Sequence, residues 1–175
     1  MRIIPRTELG LSPRVTNVDH ITSRPPLRRG LNQTIVHYTG VRKRYKNADL
    51  AKEVKSINRW RANEYNYVIH QDGRIAEFAG EFQAAHCKGR NQVAYGVLFL
   101  NGIGEPATDA QVASFRWLMD VLRWVGAVSP NVWVIPHKWV AATSCPGDVM
   151  DRYDQLLRTC LNQSGLSMTD LVKAG

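Results

Sequence analysis

Eight consecutive residues, 93–100, form a nearly unbroken apolar run, Val-Ala-Tyr-Gly-Val-Leu-Phe-Leu. A run of that length and composition suits a strand at the centre of a sheet. The neighbouring segments supply the rest of such a sheet. Thr34-Ile35-Val36-His37-Tyr38 is rich in β-branched and aromatic residues and stops at Thr39-Gly40, which reads as a strand. Segments 65–70 and 74–78 flank Asp72-Gly73, a pair that tolerates the positive φ of a tight turn, so they read as a hairpin. Residues 132–135, Val-Trp-Val-Ile, read as a short buried strand ending at Pro136.

Helical signals fall between these strands. Asn47 can cap a helix that has Asp49 in its first turn and Leu50, Val54 and Ile57 at helical spacing. Thr108 with Gln111 three residues later has the form of a capping box, and Val112, Phe115, Met119 and Leu122 follow on one face. A last helix is predicted from near Gly147 to about Leu161, with Val149, Tyr153, Leu156, Leu157 and Cys160 on its apolar side. The first thirty residues carry Pro5, Pro13, Pro25 and Pro26 and no sustained periodicity. The resulting order, β-α-β-β-β-α-β-α, predicts an α/β fold with a mixed central β-sheet flanked by α-helices. At 175 residues the chain suits one domain, taken as residues 1–161. The polar tail, 162–175, reads as a linker to a further domain.

Composition narrows the function classes. There are 23 Lys and Arg against 15 Asp and Glu, a formal charge of +8, with a pI near 9.7. Such a field attracts polyanions (nucleic acid, anionic lipid or an anionic cell wall), or it is simply a solvated surface. No helix-turn-helix pattern, CxxC pair or aromatic RNA-binding motif accompanies the charge, so nucleic acid is not the expected partner. No apolar stretch approaches the roughly 18 residues of a membrane span, so stable membrane insertion is not expected. Met1-Arg2-Ile3-Ile4-Pro5-Arg6 lacks the apolar core of a signal peptide. Three cysteines, Cys87, Cys145 and Cys160, argue against a disulfide framework, and a monomer is expected.

His37 ends one predicted strand, His137 directly follows another, and Cys145 comes eight residues later, just before Pro146-Gly147. Two imidazoles and a thiolate form a tridentate set of the kind zinc takes when a fourth position is left for water. Five histidines and three cysteines offer other triplets, so spacing alone leaves a structural role for each open.

Four separated blocks carry a resemblance. Thr34-Ile35-Val36-His37-Tyr38-Thr39, Tyr65-Asn66-Tyr67, Ala85-His86-Cys87-Lys88-Gly89-Arg90-Asn91, and Pro136-His137 through Thr143-Ser144-Cys145-Pro146-Gly147 resemble the zinc N-acetylmuramoyl-L-alanine amidases. That family is shared by phage endolysins and the peptidoglycan recognition proteins. The opening Ile4-Pro5-Arg6-Thr7-Glu8-Leu9-Gly10 is also similar, and the likeness runs from about Ile3 to Asp151. The resemblance implies Zn2+ held by His37, His137 and Cys145. It implies Tyr65 as the catalytic tyrosine and Thr143 at the position where some phage members carry lysine and amidase-active recognition proteins carry threonine. An unperturbed tyrosine titrates near pH 10, so Tyr65 suits a hydrogen-bond donor or shuttle better than a free base.

Other residues admit two readings each. His86 lines the groove or is a structural loop histidine; Asn91 contacts substrate or closes a turn. Trp139 stacks on sugar or stem peptide, or packs beneath the site. Trp60, Trp117, Trp124 and Trp133 read as core residues. His20 and His70 read as surface or hydrogen-bonded residues, and Cys87 as a free thiol. The implied activity is hydrolysis of the amide between N-acetylmuramic acid and the first L-alanine of the peptidoglycan stem, in a phage endolysin catalytic domain. Such an enzyme stays in the host cytoplasm until it is released to the cell wall. A non-catalytic recognition module and a cytoplasmic muropeptide-recycling amidase are the alternatives.

Overall fold

A computed structural model describes residues 1–13, 15, 24–61 and 64–156. His20, Cys160, the side chain of Trp60 and the expected end of the last helix lie outside the described residues. Six strands, β1 (Ile3–Ile4), β2 (Leu31–Tyr38), β3 (Tyr67–Ile69), β4 (Ile75–Glu77), β5 (Ala94–Phe99) and β6 (Val128–Pro136), form one sheet in the order β1-β4-β3-β5-β2-β6. The β3–β4 pair is antiparallel and all other pairs are parallel. The sheet is therefore mixed, as the element order predicts.

Among the described residues, α1 (Leu50–Arg61) and α2 (Asp109–Trp124) serve opposite faces. Val97 and Phe99 of β5 join Val112, Phe115, Leu118 and Met119 of α2 in one core. Leu98 and Leu100 join Leu50 and Val54 of α1 in the other. This alternation is why the run at 93–100 is apolar at nearly every position: both faces are covered. The hairpin closes as expected at Gly73, whose φ of +89° suits glycine, with Gly73 N–H donating to the His70 carbonyl at 2.9 Å.

Three expectations are corrected. The segment from Gly147 is a 3-10 helix to Arg152, with a helical turn at 153–156, not a regular α-helix from its start. No side chain caps it, and the early N–H groups find carbonyls three residues back instead, Gly147 to Ser144 and Val149 to Pro146. Trp124, at the very end of α2, is 87% exposed, past the face that carries the core. Trp133 is 44% exposed because its neighbours Val132 and Val134 take the well-covered face of β6, an edge strand. Trp117 does pack against the core. Among the described residues no helix is long and apolar enough to cross a membrane.

Candidate functional site

Parallel pairing of β2 with β6 places Val36 beside Pro136, so the residues that follow, His37 and His137, emerge side by side at the same end of the sheet. That carboxyl end of parallel strands is where open α/β sheets place their sites. The chain then makes a 3-10 turn, His137–Trp139, and returns with Cys145, whose carbonyl accepts the Lys138 N–H at 2.7 Å. Ligand atoms of His37, His137 and Cys145 all lie within 4.8 Å of one another. Cys145 Sγ is 3.7 Å from His37 Nδ1. A tetrahedral zinc about 2.1 Å from nitrogen and about 2.3 Å from sulfur would space those two atoms about 3.6 Å apart. The donor set and its spacing therefore fit such an ion.

Burial sets the protonation of this cluster. His37 is 1% exposed, and burial, with His86 and His137 adding to it, holds its imidazole well below the ordinary value. His137 is lowered by burial too. Both rings are thus neutral at pH 7, the form that ligates metal. Burial pushes the Cys145 thiol up to about 11, opposed by a backbone hydrogen bond from Tyr38. A cation would reverse that by favouring the thiolate.

The other residues singled out from the sequence fall at different depths. Tyr65 lies just before β3, 9% exposed, with its ring edge-on to His37 at a centroid distance of 5.2 Å. Thr143 is exposed on the return loop, and its hydroxyl accepts the Cys145 N–H at 3.2 Å. Trp139 is 62% exposed, with its ring edge against Tyr153, so it stands at the rim rather than beneath the site. Asn91 uses its side-chain carbonyl to accept the Cys87 N–H at 2.8 Å, which closes the loop. His86 is buried, with Nδ1 3.2 Å from His37 Nε2 and Nε2 3.1 Å from the Ala94 carbonyl. Both of its ring nitrogens are thus engaged inside the fold. His70 is hydrogen-bonded to Asp72, away from the cluster, and Cys87 is a buried free thiol.

Asn66 is missed by the sequence reading, yet it organises this region. Its side chain donates to the Gly80 and Phe82 carbonyls and accepts the Gly96 N–H, each at 2.8 Å. Its own N–H donates to the Gly96 carbonyl at 2.8 Å, so the segment bearing Tyr65 is clamped to β5. Its place between two tyrosines of a matching block is the one available signal.

A profile described as N-acetylmuramoyl-L-alanine amidase matches residues 28–148, more than half of the sequence. The chain belongs to the N-acetylmuramoyl-L-alanine amidase family. The match takes in His37, Tyr65, His137, Thr143 and Cys145 of this amidase-family chain. Peptidoglycan recognition protein 4 of Homo sapiens is 30% identical over 88 residues, 49% of this chain and 24% of that protein. A peptidoglycan-recognition protein of Drosophila melanogaster is 34% identical over 86 residues, 47% of each. The matched segments thus span half or less of these relatives. Peptidoglycan recognition protein-LE, solved in complex with tracheal cytotoxin (a monomeric diaminopimelic acid-type peptidoglycan), has the same fold. It superposes with a TM-score of 0.71 and 22% identity over 83% of this chain and 88% of that one.

Proposed function

We propose that this chain is a zinc-dependent peptidoglycan amidase that hydrolyses the bond between N-acetylmuramic acid and the first L-alanine of the stem. The observation that carries the reading is the His37, His137 and Cys145 cluster, two nitrogens and a sulfur within 4.8 Å at the strand ends. Family membership supports the substrate class. Zinc, when bound there, supplies Lewis acidity toward a carbonyl and toward a water nucleophile. The chain's own groups do the rest. His37, His137 and Cys145 would hold the ion at the sheet end. The Tyr65 hydroxyl donates a hydrogen bond where negative charge develops on the scissile carbonyl oxygen, and it relays to the departing alanine nitrogen the proton that the attacking water gives up. The Thr143 hydroxyl, on the exposed loop beside Cys145, lends a second, neutral donor. The exposed Trp139 ring stacks on the sugar or the stem at the rim. A phage endolysin kept in the host cytoplasm until release is the setting we favour.

The second reading, a non-catalytic recognition module, is favoured by the recognition proteins among the relatives. Cys145→Ser separates the two, because a hydroxyl is a far weaker zinc ligand than a thiolate. Wild type with zinc should release new N-terminal alanine amino groups from peptidoglycan. The variant should release none, yet still be pulled down by peptidoglycan. A wild type that releases no alanine amino groups with zinc present gives the function to the recognition module.

A further inference from the structure

We propose that His86 is a positioning residue for the metal centre: it fixes His37 in the tautomer whose Nδ1 is bare, and Gly96 is glycine to seat the His86 ring. The proposal rests on reading His37, His137 and Cys145 as a zinc site, and it follows from a chain of hydrogen bonds with one permitted direction. The Ala94 carbonyl can only accept, so His86 Nε2, 3.1 Å away, carries the proton and donates. In a neutral imidazole the other nitrogen then has the lone pair, so His86 Nδ1 is an acceptor. It faces His37 Nε2 at 3.2 Å, and that nitrogen must therefore carry the His37 proton. His37 Nδ1 is left bare, and it is the nitrogen that faces Cys145 Sγ at 3.7 Å. One backbone carbonyl on β5, acting through one buried ring, thus determines which nitrogen of His37 is offered to the cluster.

The socket that holds the His86 ring is built into β5. A Cβ at Gly96 would fall 2.4 Å from His86 Cγ and 2.7 Å from its Cδ2, closer than side-chain contacts allow. β5 cannot withdraw to make room, because Asn66 binds both the N–H and the carbonyl of Gly96 at 2.8 Å. β2 and β5 are also paired in register from Gln33 to Tyr38. Ala94 and Gly96, two residues apart on one strand, therefore supply the acceptor and the space for a single ring.

The test reads tautomer and metal affinity on the full-length chain, with zinc removed and restored. In the 15N–1H spectrum of the metal-free imidazoles, His37 and His86 should both carry their proton on Nε2. His86→Leu, which removes the acceptor, should leave His37 with a mixture of tautomers. It should also weaken zinc binding, measured by competition with a chromogenic chelator, about 10–100-fold. His86→Asn keeps an acceptor near the place of Nδ1 and should recover most of that loss. Gly96→Ala should weaken zinc binding as His86→Leu does, although His86 itself is intact. A wild-type His37 protonated on Nδ1, a measurement needing no variant, overturns the proposal, as does wild-type zinc affinity in folded His86→Leu. A wild type that binds no zinc overturns the metal reading and the positioning role with it. Zinc binding by wild type with unchanged affinity in the variants overturns only the latter.

Discussion

Tyr65 meets His37 edge-on with an interplanar angle of 61°, and its carbonyl accepts the Ala79 N–H at 2.9 Å. Backbone and ring are both held, so removing only the hydroxyl should leave the site's shape alone. Tyr65→Phe is expected to keep zinc and fold while kcat falls on the order of 10²-fold, the usual loss for one transition-state hydrogen bond. Thr143→Ala should cost less, since that side chain is exposed and also serves the Cys145 N–H. Thr143→Lys should be tolerated. Single-turnover rates on a soluble muropeptide check the series, and near-normal turnover in Tyr65→Phe would remove the hydroxyl from the mechanism. These residues were legible in the sequence only through resemblance. The pairing of His86 with His37 was not, because which nitrogen a ring offers depends on acceptors such as the Ala94 carbonyl, which any residue at 94 would supply.

At the scale of elements, legibility followed how local the determinant is. The capping box at Thr108 is set by residues three apart, and the structure has both of its hydrogen bonds, each at 3.1 Å. Thr108 also donates its hydroxyl to the Gln71 carbonyl, tying α2 to the hairpin turn. Thr108→Ala should therefore destabilise the fold by about 1 kcal/mol, and up to about 2 kcal/mol because two contacts go together. Zinc affinity should be unchanged, since α2 contributes no ligand. Chemical denaturation with and without zinc checks both halves, and an unchanged midpoint would mean that neither contact matters. Trp124 and Trp133 show the opposite case. Residue type suggests burial, but the last turn of a helix and the thinly covered face of an edge strand leave each ring in water. The 3-10 winding at Gly147–Arg152 was equally invisible, because it depends on what Pro146 and Ser144 leave for the first N–H groups to bond.

For the molecule as a whole, the +8 charge has a placement as well as a size. Arg42, Arg44 and Lys46 are exposed on the segment that follows β2, and Lys138 is exposed beside His137. The segment with Arg42, Arg44 and Lys46 leaves the end of β2 and Lys138 follows His137, the same strand ends that carry His37 and His137. On the proposed function they turn that face toward an anionic wall. Arg44 is partly compensated by Glu105 at 3.8 Å, and Lys43 by Glu53, so long-range attraction falls mainly to the remaining charges. Screening separates this field from the chemistry. The Debye length falls from about 10 Å at 0.1 M salt to about 3 Å at 1 M, so retention on whole sacculi should weaken strongly across that range. Hydrolysis of a small soluble muropeptide, which relies on contacts inside the site, should change far less. Replacing Arg42 and Lys46 with glutamine should flatten the salt dependence on sacculi and leave soluble turnover intact. Equal salt sensitivity on both substrates would show that the charge is a solvated surface and that the cluster and its rim alone recognise the wall.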